Sequence, residues 1–170
     1  MTVRGKACTA LSALLVSVLL LVSCSGVQAG DTGREGASAH WKEGGGAGEA
    51  AAFMKVRVPE GAAEVKGAVR VNPREDEYIL SFRTDGDTAA RVAEDLRSEE
   101  PLARWGVVSA QEPELFGHLG LPEPKTLEDA LWTGVCPPCV KDHRRRDVAW
   151  MEIYVEDLGS GRARVYLRAF

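Results

Sequence analysis

The chain has 170 residues, of which 21 are basic and 25 acidic, for a net charge of −4. That length suits one domain with an appendage, and the acidic balance removes the electrostatic basis for a nucleic-acid partner. The chain has four cysteines, Cys8, Cys24, Cys136 and Cys139.

The first segment reads in three parts: a basic start with Arg4 and Lys6, an apolar run from Leu11 to Val22, and then Ser23-Cys24. A run of twelve residues falls short of the about 20 that a spanning helix needs, so the order basic, apolar, small reads as an export signal. Leu21-Val22-Ser23-Cys24 resembles the lipobox of bacterial secreted lipoproteins. The resemblance implies cleavage before Cys24, acylation of its thiol with palmitate-type chains, and a membrane-anchored protein on the extracytoplasmic face of the cell membrane. Removing residues 1–23 leaves 19 basic against 25 acidic residues, a charge of −6. Such a chain does not adsorb broadly to an anionic surface, which leaves the lipid as the anchor. The Ala-, Gly- and Arg-rich composition resembles that of actinobacterial proteins.

From Cys24 to Ala52 the sequence is expected to be a flexible tether. Eight of the 28 residues from Ser25 to Ala52 are glycine, and Trp41 is the only large apolar group. A segment with so little apolar surface does not offset its ordering entropy, and as a coil it spans about 30 Å. Trp41 is read as an incidental aromatic.

Folded structure is predicted over residues 53–170. Order is expected to begin near Phe53, where Met54, Val56 and Val58 alternate with Lys55 and Arg57 up to Pro59, the pattern of a half-buried strand. A second strand runs from Val65 to Val71, with Val65, Gly67, Val69 and Val71 on one parity. Asn72-Pro73 breaks it, and Arg74-Glu75-Asp76-Glu77 is expected as an exposed turn. Tyr78, Leu80 and Phe82 share one face of a third strand ending at Arg83. Asp85 or Asp87 then caps a helix over Asp87–Arg97 whose stripe is Ala89, Val92, Ala93 and Leu96. Residues 56–98, with this strand–turn–helix unit, resemble a family of small actinobacterial lipoproteins of unknown function.

Further along, Trp105, Val107 and Val108 suit a short strand, and Leu115, Phe116, Leu119 and Leu121 a loop folded over the core. Thr126 with Asp129 resembles a capping box opening a second, shorter helix through Leu131. The last strands are clearest. Met151, Ile153 and Val155 alternate with Glu152 and Tyr154; Val165, Leu167 and Ala169 alternate with Tyr166 and Arg168. Gly159-Ser160-Gly161 suits a hairpin loop. Leu158 opposite Arg162 sets Ile153 against Leu167 and Val155 against Val165 towards the core, with Tyr154 against Tyr166 and Glu152 against Arg168 towards solvent. The fold class is therefore α+β, a single small domain whose antiparallel sheet carries one main helix on one face and a C-terminal β-hairpin.

One constellation bears chemistry: Cys136-Pro137-Pro138-Cys139, followed by His143-Arg144-Arg145-Arg146. In an oxidising compartment, with Cys8 removed and Cys24 acylated, these two cysteines have each other as partners and suit a static disulfide. Two alternatives use the same atoms. A thiol–disulfide redox pair would draw on the neighbouring arginines to favour the thiolate, though the tryptophan and βαβ setting of thioredoxin-type sites are missing. A zinc site would combine Cys136, Cys139 and His143 with His118 or Asp142, short of the second ligand pair usual there. The arginine run is read as a solvated loop. No nucleophile elbow or triad pattern is present. The sequence thus points to a non-enzymatic, lipid-anchored extracytoplasmic binding module. It is expected to have no catalytic residue, metal or cofactor, with a protein or cell-envelope partner and no nucleic acid. An extracytoplasmic redox protein using Cys136 and Cys139 is the alternative.

Overall fold

A computed structural model describes residues 38–98, 100–104, 114–136, 139 and 141–170, which all lie in one compact unit. The signal segment, Cys24 and the strand expected around Trp105 fall outside the described residues. Nine elements follow one another: β1 (His40–Trp41), α1 (Ala47–Met54), β2 (Ala63–Val71), β3 (Glu77–Asp85), α2 (Gly86–Leu96), β4 (Ala103–Arg104), β5 (Leu131–Cys136), β6 (Met151–Gly159) and β7 (Arg162–Ala169). The strands form one antiparallel sheet in the order β1-β2-β3-β7-β6-β5-β4. Among the described residues both edge strands are two residues long. No helix among the described residues is long and apolar enough to cross a membrane.

The hairpin of β6 and β7 has the predicted register from Met151↔Ala169 through Asp157↔Ala163. Only at the loop does it slip, so that Gly159 rather than Leu158 faces Arg162. The extra residue is absorbed where Gly159, Ser160 and Gly161 all take left-handed φ angles. The α2 stripe also matches, with Ala89, Ala93 and Leu96 buried. Asp85 is its cap, accepting from the Thr88 amide at 2.8 Å and the Thr88 hydroxyl at 2.7 Å.

Chain order begins earlier than composition indicates. The coil expected through Ala52 gives way to β1, which pairs with β2, and to α1, which buries Ala50 and Met54 completely. A helix of small residues is accommodated because β2 offers Gly67 beneath it. A Cβ at Gly67 would stand 2.5 Å from the Ala47 Cα. The alternation from Phe53 to Val58 is consequently not a strand. Phe53 and Met54 close α1, Lys55 turns left-handed at φ 54°, and the Val56 amide donates back to the Ala51 carbonyl at 2.9 Å. Phe53 stacks on Tyr78 with ring centroids 3.8 Å apart.

The short second helix is therefore α1, and none starts at Thr126. The Thr126 hydroxyl donates to the Glu123 carbonyl within a 3-10 turn over Pro124–Thr126, and Leu131 opens β5 opposite Val155. Glu77, expected in an exposed turn, is the first residue of β3 and is buried.

Two cores sandwich the sheet. On one face α1 and α2 cover Leu80, Phe82, Met151, Ile153, Val165 and Leu167. On the other, Leu115 and Phe116 sit over Ala68, Ile79, Tyr154 and Tyr166. The Phe116 ring meets Tyr166 edge-on at 5.2 Å, and Lys66 donates to the Leu119 carbonyl at 2.9 Å. The face of the hairpin assigned to solvent is thus closed, and Tyr154, Tyr166 and Glu152 are buried. Parity separates the two faces of a strand; the cover on each comes from residues remote in sequence.

Candidate functional site

Cys136 ends β5, opposite Met151 after a bulge, and Cys139 is enclosed in the core beneath the helices. The two form a disulfide pair with Cα atoms 4.7 Å apart, inside the span of about 4.4–6.8 Å that a bond requires. The Cys139 amide donates to the Val148 carbonyl at 3.2 Å, and the Asp142 amide to the Cys139 carbonyl at 3.3 Å. The pair thereby pins the turn that carries the chain into β6. Cys139 is 1 % exposed and Cys136 half-buried, so an attacking thiol reaches the bond from the Cys136 side.

The arginine run after it is not a solvated loop. His143–Arg145 form a 3-10 turn capped by Asp142, which accepts from the Arg144 amide at 3.0 Å. Arg145 points inward and is 1 % exposed. Its Nε donates to the Met54 carbonyl at 2.8 Å, one Nη to the Lys55 carbonyl at 3.1 Å and the other to Asp142 at 2.6 Å. A helix leaves its last carbonyls without partners, and here an arginine about 90 residues away in sequence supplies them. Arg144 turns outward to α2, donating to the Asp95 carboxylate at 3.2 Å and the Asp95 carbonyl at 2.8 Å. Desolvation pushes the Asp142 carboxyl up, but the hydrogen bonds from Arg144 and Arg145 outweigh it and hold the carboxyl at about 2.

These contacts dissolve the zinc set. Asp142 is committed to two arginines, and His118 lies across the sheet, stacked on Trp41 with centroids 4.0 Å apart. That stack also gives Trp41 a place in the fold, against its reading as incidental. Among the described residues no group of His, Cys, Asp or Glu is arranged to hold a metal ion.

The face under Phe116 carries charges that hold the sheet together. Arg168 on β7 bridges Glu77 on β3 at 2.6 Å and Glu152 on β6 at 3.4 Å. Glu64, at the β2 bulge, grips both Arg83 and Arg164, and their hydrogen bonds lower its pKa. Tyr166 donates to Glu156 at 2.8 Å; burial first and this bond second raise its phenol pKa. Burial likewise raises Glu123, whose carboxylate accepts from the Gly117 amide at 2.9 Å.

One of the open concavities sets several cations around apolar surface. It is a groove of about 920 Å³ between the C-terminal end of α1 and the outer side of α2. Val56, Val92 and Leu96 contribute to its floor. Lys55, Arg57, Arg91 and Arg144 contribute four cations, against the single carboxylate of Asp95. Lys55 and Arg57 project on either side of the buried Val56 because the chain leaves α1 through the left-handed Lys55. No spacing in the sequence joins these cations, which lie on three segments spread over about 90 residues. The alternation Lys55-Val56-Arg57 is the one local trace of the groove.

Of the residues singled out from sequence, the structure joins Cys136 to Cys139, parts His118 from both, and leaves Cys24 outside the described residues. No protein-family model matches the chain, and comparison with curated proteins and with solved structures finds no match.

Proposed function

We propose that this protein is a lipid-anchored binding module, held at the outer face of the cell membrane by acyl chains on Cys24, and that it binds its partner rather than transforming it. Leu21-Val22-Ser23-Cys24 supports the location, as an apolar run ending in a small residue and a cysteine. The observation that carries the binding role is the groove between α1 and α2, where a charged rim surrounds apolar side chains on secondary-structure elements fixed by two cores. Metabolic labelling with a fatty acid tests the anchor. Label on the wild-type chain and none on Cys24→Ala is the expected result, and label retained by Cys24→Ala refutes it.

A second reading is favoured by one observation, the disulfide pair of Cys136 and Cys139. On that reading the protein exchanges disulfides outside the cytoplasm, with Cys136 as the accessible sulfur. Insulin reduction by the wild type and by Cys139→Ser separates the two. Turnover that depends on Cys139 supports exchange, and its absence supports the binding module.

A further inference from the structure

We propose that the groove between α1 and α2 seats the headgroups of anionic phospholipids, so that the domain lies on the membrane with this face down. The inference rests on the anchored reading above and adds to it an orientation and a ligand chemistry.

Net charge alone argues the other way, since the chain without residues 1–23 stands at −6 and would be repelled by an anionic bilayer. The charges are segregated, however. Four cations line the groove against Asp95, whose carboxylate is engaged by Arg144 and Arg145. Lys55, Arg57 and Arg91 are exposed; Arg91 donates to the Thr88 hydroxyl at 2.6 Å, with Asp85 as the nearby carboxylate. A helix C-terminus is ordinarily the negative end of a dipole and would oppose an anion. Here the carbonyls of Met54 and Lys55 are occupied by the buried Arg145 guanidinium, whose charge is paired with Asp142, so they do not face an anion in the groove. Lysine and arginine side chains lining one groove with Val56 and Val92 match the mixed apolar and charged boundary beneath phosphate headgroups.

On the anchored reading, Cys24 precedes Ser38, the first described residue, by fourteen positions. Even fully extended, that many residues reach no more than about 50 Å, which keeps the domain near the surface that carries the anionic headgroups.

The test uses the chain from residue 24 onward carrying Cys24→Ala, which cannot be acylated, in co-sedimentation with vesicles. Phosphatidylglycerol vesicles are expected to bind it, phosphatidylcholine vesicles not, and binding should weaken steeply as salt rises. The variant Lys55→Glu, Arg57→Glu, Arg91→Glu should lose at least tenfold in affinity, while Arg74→Glu, in the turn between β2 and β3, should retain it. Thermal melts of each variant show whether it is folded, and the salt dependence of the wild type decides the matter if the triple variant is not. Equal binding to both lipids, binding indifferent to salt, or an unchanged triple variant overturns the proposal. So does saturable binding of inorganic phosphate that displaces the vesicles. Vesicle binding with no fatty acid on Cys24 would sink the anchor and keep the groove; labelled Cys24 with no vesicle binding would do the reverse.

Discussion

Replacing Arg145 by methionine isolates the interaction that ties the arginine run to α1. Methionine fills the space of the stem but donates nothing, so it strands the Met54 and Lys55 carbonyls and the Asp142 carboxylate that Arg145 serves. Each buried carbonyl left without a donor costs about 1–3 kcal/mol. Removing one partner of a buried charged pair costs about 3–5 kcal/mol in all. Asp142 retains Arg144 and some contact with water, its side chain being 13 % exposed, which places the total near the lower end, about 3 kcal/mol. For a domain of this size that corresponds to a fall of roughly 10 °C or more in melting temperature. The control is Arg144→Met, whose half-exposed side chain pairs with Asp95 and Asp142, and which should cost no more than about 1 kcal/mol because Asp142 keeps Arg145. Arg145→Lys should fall between them, keeping the charge but losing the fork that reaches three acceptors at once. Chemical denaturation followed by circular dichroism gives all three values. If Arg145→Met costs no more than Arg144→Met, the guanidinium does not hold α1 to the sheet and the argument fails.

Three further outcomes follow from the geometry. Gly67→Ala puts a methyl group 2.5 Å from the Ala47 Cα, which is backbone and cannot rotate away, so a loss of about 1–3 kcal/mol is expected; a loss under about 0.5 kcal/mol in urea titration would mean that α1 is not seated there. Ile153→Asp and Tyr154→Asp should each cost several kcal/mol, because both side chains are buried on opposite faces of β6, whereas Val65→Asp should be nearly silent; a mild Tyr154→Asp would show that the cover over Phe116 does not close. Asp142 is depressed in the folded state, to about 2 from an unfolded value of about 3.9. Its stabilisation is therefore complete above that unfolded value and is lost as pH falls towards 2. Melting temperature between pH 4 and pH 2 should fall more steeply for wild type than for Asp142→Asn, and parallel slopes would refute the assignment.

What the sequence makes legible is what neighbouring residues decide together. Alternation along β6 and β7 fixes which side chains share a face, and the glycines at 159 and 161 place the reversal, so the register can be read off within one residue. Asp85 ahead of the stripe at Ala89, Ala93 and Leu96 marks α2 in the same local way. By contrast, α1 has no such mark. Its N-cap is Gly46 with no capping side chain, its buried residues include small alanine, and its stability comes from contact with Gly67 across the sheet. The groove and the Arg145 clamp share that limitation, since Met54 and Arg145 meet only when the whole sheet is assembled. A run of arginines looks the same in sequence whether it is hydrated or buried; the acceptors that decide between the two lie far upstream.

The place of β7 has a consequence for the order in which the protein can be made. The last strand of the chain is not at an edge but in the middle of the sheet, where it joins β3 along eight residue pairs from Tyr78↔Ala169 to Asp85↔Arg162. Until the final residues are available, β1–β3 and β4–β6 are two half-sheets with no common seam, each exposing one long unpaired strand. Contacts between positions so remote in sequence form slowly, because the intervening chain must be gathered first. Until β7 is in place neither half can be joined to the other, and the cores on both faces of the sheet stay open. The same arrangement makes the C-terminus an unforgiving site for truncation, since losing the last strand removes the keystone between two halves rather than trimming a margin.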